Sequence, residues 1–473
     1  MKFFYQVIVV GLVFSILFMF GTHSKLFAAN SRALLSRQTI QVSGVNLKDF
    51  KNGSLKALRL LKQKQELQRL RDVFDAARHK GACRDPKDPQ PADPKIEQSK
   101  NIYQWIVQDQ AATPTGLVTS FPEDANLKDQ AFTYDEALAG LVLLAQKDPG
   151  SAKKIFDFYE TQWEGRGFYT AYNTQNPEGP KIETHRIVGP TAWIGLFSLR
   201  YYEATGDERA LALATKTGKW VAENVPHRLG GVAMGEDDIW SGIISIENNL
   251  SYYALAEGLS KKAGDTADRA LFSSEKDGVA QFIKNQGYDA STGLFKRGPS
   301  DQTGTFDVNS WAILVFGAEK LKDSFGIDAA VLVQSVENAF SVQKDGSFGG
   351  SVSTSKGFDF SDASNAATVN RPGMKWVEGT NHMVIVYLEL ARALQSANAV
   401  LAKQYLDKAA YFLKLNAQNA VTAGGKTSYG YTDSPAGTLI FHDIQSWTTP
   451  FGPGVASAAW VYFAVNGINP LTT

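Results

Sequence analysis

Cysteine is almost missing from this chain: Cys83 is the only one in 473 residues. An intramolecular disulfide is therefore excluded, and so is any cysteine-rich metal site. Net charge is missing as well, since 48 Lys and Arg balance 48 Asp and Glu. No cluster of basic residues is available to hold a nucleic-acid backbone, so no nucleic-acid partner is expected. Histidine is scarce. His23, His79, His185, His227, His382 and His442 form no HExxH pair, which argues against a catalytic zinc. A Walker A loop, a GxSxG elbow and a GxGxxG turn between strand and helix are also lacking. Neither a metal nor a cofactor is expected.

What the chain does have begins with an N-terminal apolar run, Val7 to Phe20, behind Lys2 and ahead of the small residues Ala28 and Ala29. At about 14 residues it is short for a membrane span, which needs about 20, and it reads as an export signal over residues 1–29. Leu26 or Phe27 would fill the −3 position of such a cleavage site poorly, so an uncleaved anchor is the alternative. The expected location is secreted or periplasmic in a bacterium, with membrane contact only through this segment. Residues 47–80 carry Leu at helical spacing among charged residues, an amphipathic helix broken near Gly53. Pro86, Pro89, Pro91 and Pro94 make 82–97 a non-helical linker. These pieces form an N-terminal region, 30–98, ahead of a main domain over 99–473.

The main domain repeats. A helix that is apolar nearly all round is followed, after a very short turn, by an amphipathic one, and each pair by a long loop rich in Gly and aromatics. The apolar helices start near Asp135, Thr191, Asn248, Asn309, Thr380 and Ser457, spaced about 56 to 77 residues apart. After the last there is no room for a partner, so a helix at 100–111 closes the set instead. Six buried helices inside an outer ring make an all-α (α/α)6 barrel, or toroid. Its long loops, 164–188, 225–246, 286–306, 343–375 and 417–453, all open on the end where the inner helices begin. Loops of that length in a compact domain are usually functional.

The hairpin repeat, with TYDEAL, SIENNL, DVNSWA, WVEGTNH and PGVASAAW at the inner-helix starts, resembles the six-hairpin glycosidase superfamily over roughly residues 99–470. The resemblance implies an enzyme that hydrolyses an oligo- or polysaccharide, usually with inversion, through paired acids at the barrel mouth. Related toroids include polysaccharide lyases, epimerases and terpene cyclases, so the fold alone leaves the reaction open.

Glycoside hydrolysis needs a proton donor and a second carboxylate. Asp135, Glu136, Glu247, Asp307 and Glu378 stand at equivalent helix starts, where a carboxylate also serves simply as a cap or dipole partner. Flanking aromatics and apolar helix favour Glu247 as donor and Asp135 as base, with Glu378 in either role. Trp240, Trp376 and Trp447 are candidate platforms for sugar rings, while Trp193 and Trp311, inside helices, read as packing. Tyr134, His185, Arg186, Asn248 and His382 complete the expected substrate contacts. The acidic pair Asp237 and Asp238 reads as solvated, and Asp443 as a weaker candidate. A lyase acting on a uronate polymer would rely on His185, Arg186, Asn248 and His382, but the loops hold as many acids as bases where such a polymer wants a basic cleft. A non-catalytic glycan-binding envelope protein would keep the aromatics and need no acid pair.

Overall fold

A computed structural model describes residues 94–472 except 302, 349–350, 417–419, 424–425 and 442–446. The export segment, the 47–80 helix, Cys83, His442 and Asp443 lie outside the described residues. The compact unit runs from Pro91 to Thr473.

Six helices build the inner ring: α2 (Thr133–Ala145), α4 (Val188–Thr205), α6 (Ile246–Lys262), α8 (Phe306–Lys320), α10 (Val377–Leu394) and α12 (Val455–Asn466). Each packs on the next and α12 returns to α2, so the ring closes. Burial all round requires apolarity all round, and α12 meets that demand most fully: every residue from Val455 to Val465 is buried. The outer helices α3 (Pro149–Thr161), α5 (Glu208–Asn224), α7 (Thr266–Phe282), α9 (Ala329–Phe340) and α11 (Ala399–Asn416) bury one stripe each. Asp148, Asp207, Asp265 and Asp328 cap four of them through their side chains, satisfying amides at the helix start directly after the short turn.

The ring's last partner is α1 (Pro94–Ala112), which packs against α12 as anticipated for 100–111. It begins earlier than the prolines suggest. Residues 94–97, assigned to a non-helical linker by sequence, form its first turn, where proline has no amide hydrogen bond to lose and its fixed φ already suits a helix.

The loops hold a second departure from the sequence reading. Most carry a short antiparallel strand pair, such as His227–Arg228 with Gly231–Val232 and Tyr288–Asp289 with Leu294–Phe295. The strand β1 (Gln130–Phe132), just before α2, pairs with β2 (Ala171–Asn173) in the first long loop. Pairs of two or three residues are too short to show an alternating pattern; the longer pairs, Ser341–Phe348 with Ser351–Phe358 and Ala420–Ala423 with Lys426–Tyr429, lie in Gly- and Ser-containing stretches read as loop from their composition.

Candidate active site

Polar side chains in the first turns of the inner helices fasten these loops. Asn249 on α6 accepts from the Val232 amide and donates to the Val232 carbonyl, both at 2.9 Å. Asn309 on α8 does the same with Phe295, at 2.7 and 3.1 Å. Thr380 on α10 accepts from the Phe358 amide at 3.1 Å, and Thr191 on α4 from the Phe168 amide at 3.1 Å. Two residues before three of these anchors stands an acid: Glu247, Asp307 and Glu378. The repeat thus gives one position to holding a loop and the position two earlier to a carboxylate at the mouth. In the second repeat that earlier position is Gly189. A methyl group there would sit 2.0 Å from Asn248 Oδ1 and 3.6 Å from Glu247 Oε1, so glycine makes room for the Glu247–Asn248 pair.

The carboxylates named from sequence come together. Asp135 and Glu378 are each 5% exposed, while Glu247 and Asp307 keep part of their surface open. All four lie within electrostatic reach of one another through shared neighbours: Asp135 feels Glu378, and Glu247 feels both Asp307 and Glu378. Burial first, then Glu378's charge, pushes Asp135 up to about 8, against a hydrogen bond with Ser120. Enclosure likewise pushes Glu247 up to about 8, with Asp307 and Glu378 adding to the rise and Arg297 opposing it. Asp307 is raised by burial. Glu378 rises to about 7 by burial, held back by a hydrogen bond from Tyr134. Glu136 differs: fully buried, it accepts from the Val118 amide at 2.9 Å and ties down the chain before β1.

Below the acids lies an aromatic floor, one ring from each of several inner helices. Trp193 (α4), Trp311 (α8) and Trp460 (α12) surround Tyr134 (α2), with Tyr134–Trp193 centroids 5.2 Å apart and Trp193–Trp311 5.4 Å. Tyr134 donates its hydroxyl proton to Glu378 Oε1 at 2.7 Å and accepts from Trp460 Nε1 at 2.7 Å. His382, fully buried, is 4.1 Å from the Trp460 ring and 3.6 Å from Glu378 Oε1. Desolvation drives it down to about 3, so it is neutral. Ser310 Oγ donates to the Asp307 carbonyl, so it accepts from His382 Nδ1 at 3.2 Å, and Nε2 accepts from Trp311 at 3.4 Å. That tautomer leaves no proton on the nitrogen facing Glu378.

Several buried polar atoms at this end have no protein partner: Asp135 Oδ2, Asn248 Nδ2, Trp193 Nε1, Trp376 Nε1 and Ser457 Oγ. Buried polar groups are rarely left so, and others, Gln110 Oε1, Asp157 Oδ1 and Ser198 Oγ among them, stand away from the acids. Among the described residues no three of His, Cys, Asp and Glu are grouped to hold a metal ion. Two surface hollows, of about 520 and about 300 Å³, lie elsewhere, lined by residues such as Gln110, Lys154 and Phe158, and Leu141, Arg200 and Phe463.

The other sequence candidates divide. Trp376 caps α10, 4% exposed, against His382 and Phe360 at 5.4 and 5.1 Å. Trp447 stands 48% exposed beside Phe360, 6.0 Å away, at the outer end of that aromatic series. His185 and Trp240 meet at 5.1 Å in a neighbouring corner of the rim. The Arg186 guanidinium is already engaged, by Glu164 at 2.5 Å, by the Gly167 carbonyl and by the Tyr169 ring. Asp237 pairs with Arg166. Sequence reasoning passed over Tyr431 and Arg297. Tyr431, within electrostatic reach of Asp135, Asp307 and Glu378, comes from the aromatic loop segment TSYGYTDS, where composition was the only signal.

Comparison of the sequence with family models and with curated proteins gave no match. Comparison with solved structures did. A glycosidase in complex with glucose superposes with a TM-score of 0.54 at 12% identity, covering 81% of this chain and all of the other. A family 76 glycoside hydrolase from a bovine Bacteroides thetaiotaomicron strain gives 0.53 at 12%, covering 79% and 77%. The fold is the (α/α)6 toroid that these glycosidases share. A cellobiose 2-epimerase from Bacillus thermoamylovorans shares it, at 0.53 and 12% over 79% of this chain and 98% of the other. Glycosidases of the same fold have been solved as a tyrosine-to-phenylalanine variant and as glutamate-to-alanine variants.

Proposed function

We propose that this protein is a glycoside hydrolase cutting O-glycosidic bonds in an oligo- or polysaccharide, with inversion. One observation carries the reading. Acids on α6 and α10, Glu247 and Glu378, converge above an aromatic floor, and one of them is held by a tyrosine hydroxyl at 2.7 Å. Glu247, partly open and raised to about 8, keeps a proton at neutral pH for the leaving oxygen. Glu378, with Tyr134 donating to it, is the acceptor that activates water on the opposite face of the sugar. This moves the base role from Asp135 to Glu378. Asp135 Oδ2 and Asn248 Nδ2, both unpartnered, are assigned to the sugar hydroxyls, and Trp447 to a ring farther along the glycan. The replacement of one tyrosine and of glutamates in the glycosidases of this fold parallels Tyr134, Glu247 and Glu378 in residue type. That only supports the reading.

An epimerase or lyase needs a base for a C–H proton. Among the described residues the imidazole nearest these acids is His382, which is fully buried and depressed to about 3. Tyr134 is raised well above 10 and donates its proton rather than taking one. A panel of neutral α- and β-glucans, mannans and uronate polymers separates the reactions. New reducing ends without unsaturated product support the hydrolase, unsaturated product a lyase, and binding without turnover a glycan-binding protein. Export is proposed from the N-terminal apolar run alone. N-terminal sequencing of protein recovered from the periplasm or medium checks it, and a chain that stays in the cytoplasm counts against it.

A further inference from the structure

We propose that Trp460 is a positioning residue: its indole N–H fixes the direction in which Tyr134 donates, and so commits Glu378 to accepting a proton. The argument is one of counting hydrogens. An indole nitrogen can only donate, so at 2.7 Å the Tyr134 oxygen must accept from Trp460. Tyr134 then has one proton of its own, and Glu378 Oε1 at 2.7 Å is its acceptor. If Glu378 were instead to donate to Tyr134, the tyrosine would give up the acceptor its proton holds at 2.7 Å, and leaving a hydrogen bond unmade in a largely enclosed corner is disfavoured. His382 does not compete, because its nitrogen facing Glu378 is occupied by the Trp311 N–H. The arrangement is rigid. Trp460 is fully buried, wedged between His382 at 4.1 Å and Phe463 at 5.8 Å, and its ring lies 6.3 Å from Trp193 and from Trp311.

Trp460 therefore acts on Glu378 from α12 without touching substrate. The groups that also bear on Glu378 are Tyr134 and Asp135 on α2, Glu247 on α6, His382 on α10 itself, and Tyr431 from the last long loop. Asp307 and Arg297 act at one remove, through Glu247. The donor to the Tyr134 oxygen is the Trp460 indole.

The test replaces Trp460 by phenylalanine and, in parallel, by 3-benzothienylalanine, which keeps the shape of the ring and exchanges the N–H for sulfur. The isostere keeps the experiment decisive should W460F fold poorly. Two readouts are taken. In pH-titrated infrared difference spectra, the carboxyl band that Glu378→Gln removes should titrate about one pH unit higher in either variant. In kinetics, which rest on the hydrolase reading, the acid limb of kcat/KM should move up by the same amount, with kcat falling and KM nearly constant. Both shifts should vanish when Tyr134→Phe is already present, since Trp460 then has nothing to orient. An unshifted Glu378 band in the isostere overturns the proposal, and so does an equal shift in the Tyr134→Phe background. If no glycan is cut, the hydrolase reading fails, while the infrared result still decides the role of Trp460.

Discussion

Glu247 and Glu378 share a chemistry but not a setting, and the difference assigns their work. In the proposed hydrolysis Glu378 works ionised and is raised to about 7, while Glu247 works protonated and is raised to about 8. Activity should peak between about 7 and 8, falling below as Glu378 takes up a proton and above as Glu247 loses one. Because the carboxyls interact, the two limbs belong to the cluster rather than to single residues. A kcat/KM profile flat from pH 5 to 9 would disprove the assignment. Glu247→Gln or Glu378→Gln should lower kcat by about a thousandfold or more while glycan binding, read by calorimetry, persists. Gly189→Ala should lower kcat/KM about a hundredfold, because its methyl group displaces Asn248 and crowds Glu247, and small displacements of catalytic groups are costly. Wild-type kinetics in that variant would show that the close approach has no bearing on the reaction.

The raised carboxyls also have a consequence for stability. A group whose folded value lies above its unfolded one binds protons more tightly when folded. Its contribution is greatest at low pH and is lost as pH rises through the folded value. For Asp135 that window runs from the ordinary 3.8 to about 8. Asp135→Asn should accordingly raise Tm at pH 9 and leave it nearly unchanged at pH 4. The opposite trend in a melting series would mean that the folded protein stabilises Asp135 as an anion.

At the scale of elements, the helices were legible and the loops were not. Uninterrupted apolarity marks a helix buried on every side, so the inner-helix starts read from sequence fall at most three residues inside the observed ones, as with Thr191 against Val188 and Thr380 against Val377. The carboxylate positions followed from the same repeat. What tied them together did not: Trp460 and Tyr134 lie 326 positions apart, and no local pattern says which of many aromatics will meet which acid. The fastening of the loops was equally hidden. Asp359 and Arg371, 4% and 2% exposed at their side chains, form a two-pronged pair, with Ser361 Oγ and the Ile440 carbonyl accepting from Arg371 and the Met374 amide donating to Asp359. The pair joins the long loop before α10 to the one after α11. Asp359→Ala strands a buried guanidinium and should cost about 3–5 kcal/mol, measurable by urea unfolding. A loss under about 1 kcal/mol would indicate that water reaches the pair.

For the whole molecule, ring closure is the event that creates a site. No inner helix carries enough chemistry alone; α2, α6, α8 and α10 each bring one or two acids, and α12 brings the indole that donates to Tyr134. The fold is common to glycosidases and to sugar epimerases, so the shape of the ring cannot choose between reactions, and the hydrolase proposal rests on the protonation pattern at its mouth. The most direct measurement runs the reaction in ¹⁸O-labelled water and reads early products by mass spectrometry. Attack of water at the anomeric carbon predicts one labelled oxygen at each new reducing end, and none with Glu378→Gln. Unlabelled products, a sugar altered in configuration without chain cleavage, or an unsaturated end would contradict it.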